Sequence, residues 1–282
     1  MKKIAFLFLT IEDPNFPTIW NSYFYGHKDQ YNIYIHPKYP SKIKWRKKDI
    51  IDNLQETEWG YITKAYIELF KISYKDPENY KFITVSESCV PIQSFDNFYN
   101  DTINDPKSWI KSMHLSRYNQ EERIDTQKRD NKPVYFLKNY ARSCLNREHV
   151  RLLLSKTEKL DFFHQMHVGD EFFLSVLYPL KNYKDFAVTY DDWEYVKIEK
   201  KKIKDQIKKL YEIQDNQKIN KSDEISILRE KYNDISKNPK TIVDVREDLD
   251  KIKKCKSYFY RKFSKDSNIQ KYWKDIINYH NK

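Results

Sequence analysis

The sequence predicts an α/β fold built on a largely parallel sheet. Three observations carry that expectation. Residues 3–9 (KIAFLFL) are an unbroken apolar run of strand length, which reads as a buried first strand. Residues 31–36 (YNIYIH) alternate and stop at Pro37 and Pro40, which reads as a second strand. Residues 61–74 (YITKAYIELFKISY) place Ile62, Ala65, Tyr66, Leu69 and Ile72 at helical spacing, and the strand-like run 80–86 (YKFITVS) follows. Strand, helix, strand, helix, strand is the order of βαβ units, whose sheets are parallel and bind ligands at the carboxyl ends of their strands. His36, Ser86 and Glu87 stand at such ends.

The remaining elements follow in order. Pro14 and Pro17 mark a turn before a helix over 20–25, and 94–99 reads as a short helix. Later strands are expected at 109–114, 134–137 and 186–190. Asn146 is a candidate cap for a helix running to Leu154, and 169–178 reads as a further helix. Residues 197–236 differ from the rest. They are lysine-rich and lack Gly and, before Pro239, any Pro, with Ile203, Ile207, Leu210 and Ile213 marking one helical face and Ile225, Leu228 and Tyr232 another. A break at 216–220 makes this a charged helical hairpin insertion, read first as a solvated arm and second as a partner-binding or oligomerising one. The division is then 1–196 for the main catalytic part, 197–236 for the insertion, and 237–282 for the closing part.

Composition excludes several classes. Hydrophobic residues are 39% of the chain, with 23 Tyr, 16 Phe and 6 Trp, so a packed core is expected rather than disorder. The net charge of +11 suits nucleic acid, anionic membrane or phosphorylated small molecules, and by itself selects none of them. Cys89, Cys144 and Cys255 are scattered and odd in number, which fits a reducing compartment and no CxxC chemistry. The apolar run at 4–9 is far short of the roughly 20 residues a membrane helix needs, and Glu12 and Asp13 follow it where a signal peptide would be cleaved. A cytoplasmic protein of viral or bacterial origin is the resulting expectation. The only glycines are Gly26, Gly60 and Gly169, so neither GxGxxG nor a Walker A loop can be written. Phosphate, if bound, must be met by side chains or helix ends.

Several segments, in order, resemble the core-2/I-branching β-1,6-N-acetylglucosaminyltransferases and their peptide O-xylosyltransferase relatives. These are KIAFLFLT, YNIYIHPK, EWGYITKAYIELF, FITVSESCVPI, VGDEFFLSVL, VTYDDW and the closing NPKTIVDVREDLDKIKKCKSYFYRKFS. The resemblance implies a GT-A-type, Rossmann-like sheet flanked by helices and an inverting transfer from a UDP-sugar, N-acetylglucosamine or xylose. It also implies no DxD metal motif, and none follows the early strands. No cofactor is then expected beyond the donor substrate itself. The acceptor stays open among glycan, protein and small molecule.

Inverting transfer needs one base to take the acceptor proton and positive charge where the nucleoside diphosphate departs. By resemblance Glu171, the second acid of Gly169-Asp170-Glu171, is the base, with Asp170 beside it as a cap or supporting acid on the acceptor side. Lys262 in YFYRKF matches the family's phosphate ligand, Lys240 in NPKTI its second cation, and Arg261 is an alternative or accomplice. Some relatives carry arginine at the position of Lys240. His36, Trp59, Gly60, Glu87 and Ser88 are assigned to the donor, His36 to the nucleoside and Glu87 and Ser88 to sugar hydroxyls. Arg117 and Tyr118 are assigned to the acceptor, as is the region 138–143, although KNYARSCLN matches the relatives' KGSQWF poorly. The pair Asp191–Asp192 reads as a bystander or a turn. His164 and His167 form HxxH without a third ligand, so no metal site is expected. The rival reading is a non-catalytic protein that binds nucleic acid, or a partner through the insertion. No RRM, KH or helix-turn-helix pattern supports the nucleic-acid version.

Overall fold

The computed structural model describes residues 1–113, 138–177, 181–217, 220–235 and 239–281. Strand β1 (Lys3–Thr10) is the centre of the molecule. It pairs in parallel with β2 (Tyr31–Pro37) on one side and with β3 (Asn79–Ser86) on the other. A strand in that position is covered on both faces, which is why its sequence is apolar without alternation. Ile4, Phe6 and Phe8 enter one core, and Ala5, Leu7 and Leu9 the other. The period of two still operates, but both sides of it are buried.

Beyond β3 the sheet continues through β8 (Cys144–Asn146), β5 (Ser108–Trp109) and β9 (Tyr183–Lys184), giving six strands in the order β2-β1-β3-β8-β5-β9. The β3–β8 and β8–β5 pairs are antiparallel, so the sheet is mixed. A second sheet joins β4 (Val90–Pro91), β11 (Phe259–Arg261) and β10 (Thr189–Asp191). A two-stranded pair, β6 (Ser112–Met113) with β7 (Lys138–Asn139), flanks them.

Helices cover both faces. On the Phe6 side lie α1 (Pro17–Phe24), α3 (Phe95–Asn104) and the late helix Ile269–His280. Pro17 sits at the first turn of α1, where its missing N–H costs nothing. On the Leu7 side lie α2 (Thr63–Tyr74), α4 (Arg147–Leu154) and α5 (Thr157–Gln165). Asn146 caps α4 as expected, its side-chain oxygen accepting the His149 N–H at 2.8 Å. The GT-A-type, Rossmann-like sheet between helical layers is therefore present.

The lysine-rich segment forms α6 (Glu194–Gln217) and α7 (Ser222–Ile235), packed against each other as a hairpin. Ile203 and Ile225 are buried where it joins. The chain then closes through α8 (Leu249–Lys253) and α9 (Ile269–His280). Among the described residues no helix is long and apolar enough to cross a membrane.

Two expectations need correction. The helix expected at 169–178 is, over the described residues 169–177, not an α-helix but two short 3-10 turns, Gly169–Glu171 and Phe173–Leu177. Val168 enters the first turn left-handed at φ 52°, and Phe172 leaves it at φ −128° and ψ −19°, neither helical nor extended, which interrupts the helical ladder. The strand expected at 186–190 is displaced to Thr189–Asp191. Strand 109–114 appears as β5 and β6 with a break between them, while His114 and the strand at 134–137 lie outside the described residues.

Candidate active site

The parallel pairing of β10 with β11 sets Asp191 opposite Arg261, and the two form an ion pair at 2.9 Å. Cross-strand neighbours of opposite charge are a standard source of sheet stability. The other Asp191 oxygen accepts from Arg142 Nη2 at 3.3 Å. Arg142 comes from the segment entering β8, which Thr84 of β3 grips from both sides. The Thr84 hydroxyl donates to Ala141 O at 2.9 Å and accepts the Ser143 N–H at 3.0 Å. One buried carboxylate thus holds two arginines, each about seven-eighths covered, and the Nε–H of each is buried without an acceptor. Burial opposes the Arg142 charge, but Asp191, with Tyr66, Cys89 and Asp170 around it, holds its pKa above the ordinary value.

Lys262 follows directly. Its ammonium is depressed below the usual lysine range by burial and by the charges of Arg261 and Arg142, against which Glu87 and Asp191 pull. Glu87 and Ser88 lie in the turn after β3, and that turn is tied to the same segment, since Phe263 N–H donates to Ser88 O at 3.2 Å. The β4–β11 pairing fixes this proximity. The structure therefore gathers Glu87, Ser88, Arg261 and Lys262 around Asp191.

Asp170 and Glu171 approach this cluster from the other side. Asp170 is buried, and burial raises its pKa to about 6 despite the opposing Arg142 charge, with the neighbouring Glu171 adding to the rise. Glu171 keeps part of its side chain in solvent and pairs with Lys138 of β7 at 2.6 Å. Arg142 is the link: its charge is felt by Lys262 on one side and by Asp170 on the other. Tyr140 also senses both Asp191 and Glu171, and burial raises its pKa. The acidic turn and the arginines on Asp191 are therefore within electrostatic reach of each other.

The Gly169 turn permits this approach. A Cβ there would stand 2.1 Å from the Phe163 carbonyl oxygen and 2.9 Å from Thr63 Oγ1, so only glycine lets the acidic turn seat on α2 and α5. The turn is also tied to residues 58–61. Val168 N–H donates to Gly60 O at 2.6 Å, and Val168 O accepts from Glu171 N–H at 3.0 Å. Gly60 itself has φ +84°.

The other expected residues fall elsewhere. His36 is fully buried, and its Nε2 accepts the Gln55 N–H at 2.8 Å, which leaves the ring neutral with its proton on Nδ1. Burial lowers its pKa. The ring offers a ligand no surface, and its direct role is to fix the loop at Gln55. Lys240 donates to both Asp248 oxygens at 2.9 Å, so its ammonium is engaged beside the closing strand. Trp59 is 69% exposed and not part of the core. Arg117 and Tyr118 lie outside the described residues. His164 pairs with Asp161 at 3.4 Å while His167 turns to Trp59 and Tyr61, so the HxxH rings do not converge. Of the acidic pair, Asp192 does cap a turn, accepting the Tyr195 N–H at 3.2 Å and an ion pair from Lys251 at 2.7 Å. Asp191, by contrast, is no bystander.

Sequence reading took Arg142 only as part of the acceptor-side region 138–143, and Asp191 as a bystander or a turn. A signal was available for one of them: Arg142 is the only charge in 139–146, an arginine placed in an otherwise neutral stretch of a chain crowded with lysine.

A model of the Core-2/I-Branching enzyme family matches residues 4–220. The chain belongs to that family. It is similar to "Glycosyltransferase BC10" of Oryza sativa subsp. japonica, at 24% identity over 181 residues. That match takes in 58% of this chain and 43% of the rice protein, so the core-2/I-branching chain spans under half the length of this relative. The matched family region contains β1 to β3, Arg142, the Gly169–Glu171 turn, Asp191 and most of the hairpin, while Arg261 and Lys262 lie beyond it.

Proposed function

We infer that this core-2/I-branching family member is a glycosyltransferase that moves a sugar, N-acetylglucosamine or xylose, from a UDP-sugar to an acceptor hydroxyl. The transfer inverts the anomeric centre and needs no metal ion. The observation that carries the reading is the polar region running from Glu171 through Asp170 and Arg142 to Lys262.

In this reading Glu171 takes the proton of the acceptor hydroxyl as its oxygen bonds to the anomeric carbon. The carbon–oxygen bond to the diphosphate breaks on the opposite face, and its electron pair stays with the departing UDP. Lys262 and Arg261 meet that charge, with Arg142 behind them, in place of a divalent cation. Burial first, and then the charges of Arg261 and Arg142, depress the Lys262 pKa, and an arriving diphosphate offers that ammonium a counter-charge. Glu87 and Ser88 face the donor sugar, and Lys240 supports the closing segment through Asp248.

The test is UDP release and thermal shift across a panel of nucleotide sugars, each with and without EDTA. A UDP-sugar is expected to stabilise the fold by linkage and to be turned over equally in EDTA. Turnover abolished by EDTA and restored by a divalent ion refutes the metal-independent part. Lys262→Ala should weaken UDP binding in the same assay, and unchanged affinity removes Lys262 from the site.

A further inference from the structure

Residues 58–61 form a tight turn closed by Tyr61 N–H to Glu58 O at 2.9 Å. Its two aromatic side chains stay in solvent, Trp59 at 69% and Tyr61 at 42% exposure. The exposed His167 ring fits between them, 5.1 Å from the Trp59 ring centre and 5.5 Å from that of Tyr61. Gly60 makes this fit possible, since a Cβ there would stand 2.5 Å from His167 Cδ2 and Nε2. Single exposed aromatics are ordinary, but three held together by backbone geometry form a surface that calls for an occupant.

We propose that Trp59, Tyr61 and His167 form a stacking subsite for a pyranose ring of the acceptor. The proposal rests on the reading of Glu171 as the base. The C–H groups on one face of a pyranose carry partial positive charge, and an aromatic face is the negative part of its quadrupole. A sugar ring thus takes up exposed aromatic surface while its hydroxyls stay in water. Position separates acceptor from donor. The aromatic turn bonds to Val168, and Val168 bonds in turn to Glu171, so the platform lies within one turn of the base. Arg142 and Arg261, by contrast, are gathered on Asp191 of the second sheet, where the diphosphate is expected. This moves Trp59 from the donor, where the sequence placed it, to the acceptor.

The experiment measures binding apart from turnover. Saturation-transfer NMR is run with chitotriose, xylotriose and N-acetyllactosamine on wild type, Trp59→Ala and Trp59→Phe, with UDP affinity measured in parallel. At least one oligosaccharide is expected to bind wild type, to lose tenfold or more in affinity in Trp59→Ala (on the order of 1–2 kcal/mol, the scale of aromatic stacking), and to recover in Trp59→Phe. UDP affinity should be the same in all three. A fall in UDP affinity in Trp59→Ala returns Trp59 to the donor and overturns the proposal, as does a panel in which no sugar binds wild type. Because saturation transfer requires no chemistry, a silent Glu171 would leave this result intact and fail only in the UDP-release assay.

Discussion

The polar region around Asp191 and the α6–α7 hairpin are both dense in charge, and they use it in opposite ways. In the hairpin the ion pairs are local and wet: Lys202 with Glu199 and Lys221 with Glu224, each three residues apart, with the ammonium or the carboxylate in solvent. Such pairs contribute little, because water and salt screen them. Around Asp191 the partners come from distant parts of the chain. Arg142 and Arg261 converge on one carboxylate whose side chain is almost wholly covered. Charge that folding has carried out of water is costly unless something requires it there. The net charge of +11 weights both regions alike and therefore identifies neither.

The largest effect that would sharpen this contrast is chemical. Glu171→Gln should lower the transfer rate about 100- to 10,000-fold, the usual contribution of a general base, while UDP still binds. A variant retaining full turnover would show that Glu171 takes no proton. Next comes stability. Arg142→Ala leaves Asp191 with Arg261 alone in a buried setting and should destabilise the fold by about 3 kcal/mol, measured by urea unfolding. A loss as small as that of a surface pair would place Arg142 with the hairpin lysines.

The third effect depends on pH. Asp170 has its folded pKa raised to about 6 by burial, above the unfolded value of 3.8. Between those values the folded protein keeps a proton that the unfolded chain has released. Stability therefore falls as pH rises through that window, and falls no further above it. The difference of about two units corresponds to about 3 kcal/mol. Relative to Asp170→Asn, wild type should lose about 2 kcal/mol of that between pH 4 and pH 6.5, read as unfolding midpoints at several pH values. Parallel curves for the two proteins would mean that Asp170 is already ionised at pH 4. The smallest effect is the control: Lys202→Ala should leave the melting temperature unchanged within error at low and high salt.

How much of this was legible depended on the kind of signal. The runs at 3–9 and 80–86 announced β1 and β3 because burial on both faces dictates composition directly, and 31–36 announced β2 by its alternation. The hairpin was legible because its lysine-rich sequence lacks Gly and Pro and carries two runs of apolar residues at helical spacing. The 169–178 segment was misread because its apolar residues fit a helix, while its shape is set by the left-handed Val168 and by the seat of Gly169 against Phe163. Neither leaves a periodic trace. Lys262 was singled out by resemblance, whereas Arg142 and Asp191 meet only because distant parts of the chain converge, a contact no local pattern encodes. His36 stands at a strand end as expected, yet the loop at Gln55 covers it, and strand position alone does not reveal what lies above a strand.

Val168 commits its amide to Gly60 and its carbonyl to Glu171 while its own backbone is held left-handed. Through that one residue the aromatic turn at the rim and the acid at the inner end share a backbone frame, with no side chain in between.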